Sequence, residues 1–290
     1  MSHILVIGNA TLDIVNTVDH YPVEDEELRA TGQQVTPGGN AANSARVLVQ
    51  LGHRVDLAAV LALEPDGERL SGMLRERGVG VDCCARHEGR TPCSYVTLSA
   101  RTGSRTIVHF RDLPEMDAAQ LRTVPVEHMD WVHLEARNGR TTGALLHALR
   151  PRLVDQPVSL EVEKERPDVD TLFALADVVL FSRPFARGRG FDSARGFLEH
   201  TGANCPGRIL VCTWGEAGAW AVDHDGGMHH APAAAPPRVV DTLGAGDTFN
   251  AGLIHGLAGG RNLPEALDLA VRLAGRKVGQ SGLDGLKDGI

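Results

Sequence analysis

A carboxylate placed directly after a glycine-rich turn, where a helix begins, has a chemical use. Residues 239–252 read VVDTLGAGDTFNAG, so Gly244, Ala245 and Gly246 are followed at once by Asp247. The first amides of a helix lack intrahelical partners, and the macrodipole leaves partial positive charge beside them, so they attract anions. Asp247 is itself an anion. The plain reading makes it a helix cap. The chemical reading sets it beside a second anion because a proton has to move there. Phosphoryl transfer to an alcohol needs both parts: amides at residues 244–246 to hold the oxygens of the moving group, and Asp247 to accept the proton of the attacking hydroxyl.

Two other phosphate-binding patterns are absent. A P-loop requires Gly-Lys-Ser/Thr after its first glycine, and no lysine follows a glycine anywhere in the chain. A dinucleotide fingerprint would place Gly or Ala where Phe249 stands, and would lie in the first strand-to-helix turn. A second cluster, PGGNAANSARVLVQLG, begins with paired glycines and continues as a helix over 40–51 that ends at Gly52. Asp13 stands near the end of the first strand-like run, where ligand clefts of open α/β sheets form.

The elements that must position these groups follow a βα rhythm. HILVIG is an apolar strand, 54–62 a second, and 66–78 an amphipathic helix with Leu70, Met73 and Leu74 on one side. The alternation resumes with strand 130–135, helix 141–150, strand 157–163, a helix near 169–175, strand 177–182, helix 192–200 and strand 208–215. A short hairpin-like stretch over 219–232 leads to the GAGD helix and a last helix over 264–277. This predicts an α/β fold with a central, mostly parallel β-sheet flanked by helices. The stretches 24–37 and 91–110 depart from the rhythm and are β-like, the second turning at Arg101–Ser104. They predict a small β-sheet lid built from about 14–36 and 91–111 on a single domain spanning 1–290.

Composition narrows the class. The 290 residues are 42% hydrophobic, enough for a buried core, and the net charge of −8 offers no basic face for nucleic acid. No long uncharged apolar run predicts a membrane span or signal peptide, so a cytoplasmic protein is expected. Five cysteines without a C-x-x-C pair read as reduced thiols. The histidines include no H-E-x-x-H, and adjacent His229 and His230 cannot form an i,i+4 metal pair. Only three lysines occur, Lys164, Lys277 and Lys287, among 29 basic residues.

DTLGAGDTFNAG and PGGNAANSARVLVQLG resemble the two signatures of the ribokinase-like (PfkB-type) carbohydrate kinases, in the right order and over a chain of the usual length. The segments YPVEDEELRA, GSRTI, VHLEARN, LEVEK and GLDGL are similar to those of the family's ketohexokinase (fructokinase) branch. The resemblance implies an ATP-dependent kinase acting on a ketose, fructose foremost, with Asp247 as base. The acceptor alternatives are ribose, tagatose, a nucleoside or a keto-deoxy sugar acid, and a catalytically silent sugar-binding protein is the other class to weigh.

The same resemblance assigns roles elsewhere. Asp13, Gly39, Asn40 and Asn43 hold the sugar, with helix capping the plain alternative for the two asparagines. Asp25, in a charge run that would otherwise read as solvated, reaches the sugar of a partner subunit through a homodimer of interlocked lids. Arg105, Lys164, Thr213, Trp214, Gly215 and Gly218 serve ATP, and Arg137 and Asn138 are further cleft residues. Magnesium arrives with the nucleotide. The family's Asn-x-x-Glu motif is replaced, with Ser182 and Phe185 in its place, which leaves Glu163 as the acidic anchor. Asp241, with carbonyls near Leu243 and Gly279, resembles the family's site for a monovalent cation such as K+.

Overall fold

The computed structural model describes residues 1–287. The chain opens with β1 (His3–Ile7), β2 (Thr11–Val18), β3 (Gly32–Gly38) and α1 (Asn40–Gln50), then β4 (Arg54–Ala58), β5 (Val60–Ala62), α2 (Pro65–Glu76) and β6 (Ala85–His87). Next come β7 (Cys93–Ser99), β8 (Arg105–Phe110), α3 (Ala118–Leu121), β9 (Trp131–Glu135), α4 (Gly139–Leu149) and β10 (Val158–Val162). The second half holds β11 (Val178–Phe181), α5 (Arg183–Gly188), α6 (Ala194–Asn204), β12 (Ile209–Thr213), β13 (Ala219–Val222), β14 (Met228–Ala231), α7 (Ala245–Ala258) and α8 (Leu263–Val278).

Eight strands form the main sheet in the order β14-β13-β12-β11-β10-β9-β1-β4. All neighbours are parallel except the β12-β13-β14 meander at one edge. Parallel strands covered on both faces are apolar on both. In β1, Ile4 and Val6 pack into the core beneath α1, α2, α7 and α8, while Leu5 and Ile7 enter the second core with residues of α4, α5 and α6. α7 and α8 lie side by side, and Gly252 and Gly256 allow the approach, since a Cβ on either would strike the Ala270 or Ala266 backbone.

A four-stranded sheet, β3-β2-β7-β8, stands over one end of the main sheet as the expected lid. Its register aligns Thr36, Asp13, Ser94 and His109 in one row across the strands, all facing the same side. The adjacent row, Val35, Ile14, Tyr95 and Val108, faces away.

Several expected elements differ. Residues 169–175 form a 3₁₀ rather than an α-helix, entered from Asp168 in a left-handed conformation (φ 62°). The strand expected over 54–62 breaks at Ala59, because β5 leaves the main sheet to pair with β6. Residues 24–30 are not paired; the Thr31 amide donates to the Thr17 carbonyl and β3 begins at Gly32, while the acidic run stays in solvent, braced where Glu26 accepts the Val23 amide. α5 had no sequence expectation. It starts from Ser182, whose hydroxyl accepts the Phe185 amide, with Pro184 in its first turn. The cysteines are free thiols, as expected, and His229 pairs with Asp223.

Candidate active site

The carboxyl ends of β1, β9, β10, β11 and β12, the start of α7 and the inward face of the lid enclose a cavity of about 460 Å³. Asp13, Asn40, Asn43, Gly39, Arg105, Arg137, Glu163, Lys164, Thr213, Gly244, Gly246 and Asp247 all line it. Residues far apart in sequence thus meet in one place.

α7 starts from Gly244, which is left-handed (φ 79°) and carries no side-chain cap. Asp247 does not cap the helix. Its carboxylate turns sideways and accepts Asn43 Nδ2 at 2.8 Å, while Ser44 Oγ lies 3.4 Å from its carbonyl oxygen. The Ala245 amide donates to the Thr242 carbonyl at 3.3 Å and Ala245 does not line the cavity, whereas the Gly246 and Asp247 amides have no partner among the described residues and can meet an external anion. Burial raises the Asp247 pKa to about 7; the Asn43 bond opposes this, and the carboxylates of Glu135, Glu163 and Asp13 add to it. A base poised near neutrality suits proton abstraction from an alcohol.

Asp13 is 6% exposed and accepts the Thr11 hydroxyl at 2.7 Å. It fits because position 38 is glycine; a Cβ there would overlap the Asp13 carboxylate. Gly39, at φ 92°, turns the chain into α1 where a Cβ would strike the Asn9 carbonyl. Neither asparagine caps α1. Asn40 Nδ2 donates to Glu163 Oε2 at 3.2 Å, and Asn43 serves Asp247. Asp25 is exposed at φ 65° on the 19–31 loop and does not line this chain's own cavity.

Arg105 reaches from the lid to the Thr242 hydroxyl at 2.5 Å, so the lid touches the turn before α7. Lys164 is largely exposed and lies 3.4 Å from Glu163. Thr213 lines the cavity, but Trp214, Gly215 and Gly218 do not. Trp214 packs in the second core, and the two glycines close a tight turn in which Gly218 accepts the Trp214 amide at 2.7 Å. Asn138 caps α4 by accepting the Thr141 amide. Arg137 is held by Glu115 at 2.9 Å and Glu135 at 3.0 Å. Asp241 accepts the Leu243 amide on one oxygen and the Lys277 ammonium and Gly282 amide on the other.

Glu135, Glu161, Ser94 and His109 were not foreseen. Glu161 is 7% exposed and lines the cavity, and its Oε2 is buried without a partner. Burial and the neighbouring carboxylates, Asp247 first, push its pKa well up. The signal for it lay in PVSLEVE, where Ser159, Glu161 and Glu163 alternate with apolar residues; an acid on the buried face of a central strand calls for a use. Ser94 and His109, 3.2 Å apart, extend the Asp13 row across the lid, a pairing visible only once the register is known.

The model of the pfkB family of carbohydrate kinases matches residues 1–287. The chain belongs to this family. The kinase is 39% identical to the ketohexokinase of Mus musculus over 98% of each chain, and 26% identical to the ribokinase of Bacillus subtilis over 98% of its own length and 96% of that protein. Its fold superposes with a TM-score of 0.80 on the ribokinase of Arabidopsis thaliana complexed with ribose and ATP, covering 97% and 94% of the two chains at 21% identity. The expected ribokinase-like fold is therefore the observed one, and the protein is a sugar phosphotransferase. No helix of the described residues is long and apolar enough to cross a membrane.

Proposed function

We propose that this kinase transfers the γ-phosphoryl group of ATP to a primary hydroxyl of a ketose, with fructose the leading acceptor. One juxtaposition carries the reading: the buried Asp247 carboxylate stands one residue from the uncapped amides of α7, in a cavity shared with Asp13 and Asn40. Asp13 accepts remote hydroxyls of the sugar. Asp247 takes the proton of the hydroxyl that attacks, and the amides of residues 244–246 receive charge on the transferring group. Arg105 and Lys164 face the phosphates, and Thr213 lies beside the nucleotide. Closure of the lid keeps water from competing with the sugar.

Oxygen donors for a nucleotide-borne Mg2+ are at hand: Glu161, which lines the cavity and keeps a buried carboxyl oxygen without a partner, and Glu163. Such an ion would neutralise phosphate charge while Arg105 and Lys164 orient the chain's side of the site.

The geometry also weighs on the acceptor. Of the cations a sugar acid could meet, Arg137 is taken by two carboxylates and Arg111 by Asn9, Glu115 and two carbonyls, which leaves Arg105, Lys164 and Arg166 of the cavity lining. A nucleoside calls for aromatic stacking, and among the described residues Phe181 is the sole phenyl ring lining the cavity. Turnover with fructose, tagatose, ribose and adenosine tests the proposal. Fructose is expected to exceed ribose by about tenfold or more in kcat/KM, with adenosine inert. Preference for ribose would overturn the ketose assignment, and failure with every sugar the kinase reading.

A homodimer joined through the lids completes the proposal. The outward face of the lid presents Tyr95, Val108 and Phe110 at 49%, 65% and 46% exposure, an apolar patch of the kind that marks an interface. Such a dimer lets Asp25 act in the partner's cavity. Asp25→Ala is then expected to raise the ketose KM about tenfold or more. Co-expressed with Asp247→Asn, it should yield mixed dimers with one intact site and a parental KM. A mixed population that keeps the raised KM would remove Asp25 from the partner's site.

A further inference from the structure

In a chain that uses arginine for nearly all its basic positions, Lys277 is 0% exposed. It projects from the last turn of α8, where the helix end favours a cation. Its Nζ donates to the Asp241 carbonyl at 3.0 Å, to Asp241 Oδ2 at 2.8 Å and to the Gln280 carbonyl at 3.3 Å. Three donors meet three oxygens, which satisfies an ammonium and compensates its burial. Arginine's planar fork could not place one nitrogen at the centre of such a cage. The Asp241 carboxylate that the resemblance gives to a monovalent cation is thus already engaged by a cation of the chain itself.

The cage adjoins the phosphate-binding turn. Asp241 is followed by Thr242, Leu243 and Gly244, and its other carboxylate oxygen accepts the Leu243 amide at 2.8 Å. The amides of Val240 and Asp241 both donate to the Val278 carbonyl, at 2.8 and 3.2 Å, so α8 and the turn are coupled beside the ammonium. Arg105 meets the same turn from the lid.

We propose that Lys277 is a positioning residue, a tethered cation that holds Asp241 so that Leu243 and Gly244 aim the first amides of α7 at the transferring phosphoryl group. This rests on the phosphoryl-transfer reading above. Loss of the ammonium would loosen the turn without touching the sugar, so kcat should fall while the acceptor KM holds.

The test compares Lys277→Met, Lys277→Ala and the double variant Asp241→Asn/Lys277→Met, which leaves no orphaned charge. Circular dichroism and thermal melting identify the folded variants. Each folded variant is expected to lose about 100-fold in kcat with the ketose KM within about threefold of the parent. Ammonium or potassium ions should raise the kcat of Lys277→Ala about tenfold, and by a larger factor than they raise the parent's, by occupying the vacated cage. A folded variant with parental kcat overturns the proposal. So does a slow Lys277→Ala enzyme that neither ion accelerates beyond the parent, because the lysine would then only support the fold. A parent inactive on every sugar overturns the kinase reading and this inference with it, whereas an active parent with unaffected variants overturns this inference alone.

Discussion

Asp247→Asn is expected to lower sugar-dependent turnover by about 10³-fold, within the range for loss of a positioned general base, while ATP binding measured by calorimetry stays within about threefold. The substitution is nearly isosteric. The Asn43 amide, 2.8 Å from Asp247 in the parent, can still meet an amide oxygen, so the α1–α7 contact survives. Stability should rise at pH 8, not fall. Burial and the Glu135, Glu163 and Asp13 carboxylates raise the Asp247 pKa from 3.8 to about 7, so ionising it in the fold costs more than in the unfolded chain. That cost grows as pH climbs from about 4 towards 7, and the amide removes it. The same shift fixes the rate profile. Below pH 7 the base carries a proton and cannot take another, so kcat/KM of the parent should rise with pH through the neighbourhood of 7. The residual activity of Asp247→Asn should lack that limb. Retention of more than a tenth of parental turnover would remove Asp247 from the chemistry.

Much of this site was legible in the sequence because its parts are local. GAGD joins a glycine turn, first-turn amides and an acid in four consecutive residues, and paired glycines before Asn40 mark the start of a second helix. The alternation of apolar strands and helices likewise predicts a parallel sheet, since each strand must be covered on both faces. What escaped depends on partners remote in sequence. The Asp13–Ser94–His109 row exists only when β2, β7 and β8 align, and Lys277 acquires its meaning from Asp241, 36 residues away. Trp214 also turns on remote partners: the resemblance gives it to the nucleotide, plain core is the alternative, and its ring packs in the second core while the two glycines close the β12–β13 turn. Residues 169–175 gave a helical pattern and became a 3₁₀ turn, because tertiary packing overrides local preference in so short a segment.

Gly246→Pro isolates the other half of the chemistry, the amide hole. Proline removes one of the first-turn N–H groups of α7 and nothing else that the structure uses. A Cβ at position 246 meets no atom within 4 Å, so the side-chain carbon that both variants add is accommodated. Nor is the helix, because Gly246 is its second residue, and Pro184 in α5 and Pro264 in α8 already occupy that position in this chain. Gly246→Ala supplies the control, adding the same carbon while keeping the N–H. If that amide receives the charge that grows on the phosphoryl oxygens, Gly246→Pro should turn over about 10²- to 10³-fold more slowly than Gly246→Ala, the loss seen when one donor leaves an oxyanion hole. The acceptor KM should match in the two variants, since the proposed sugar contacts at Asp13 and Asn40 are left in place. Nucleotide affinity should fall by far less than kcat, because the donor matters most where charge is greatest. A proline variant as fast as the alanine variant would leave the glycines as turn formers only, with the phosphoryl group held elsewhere.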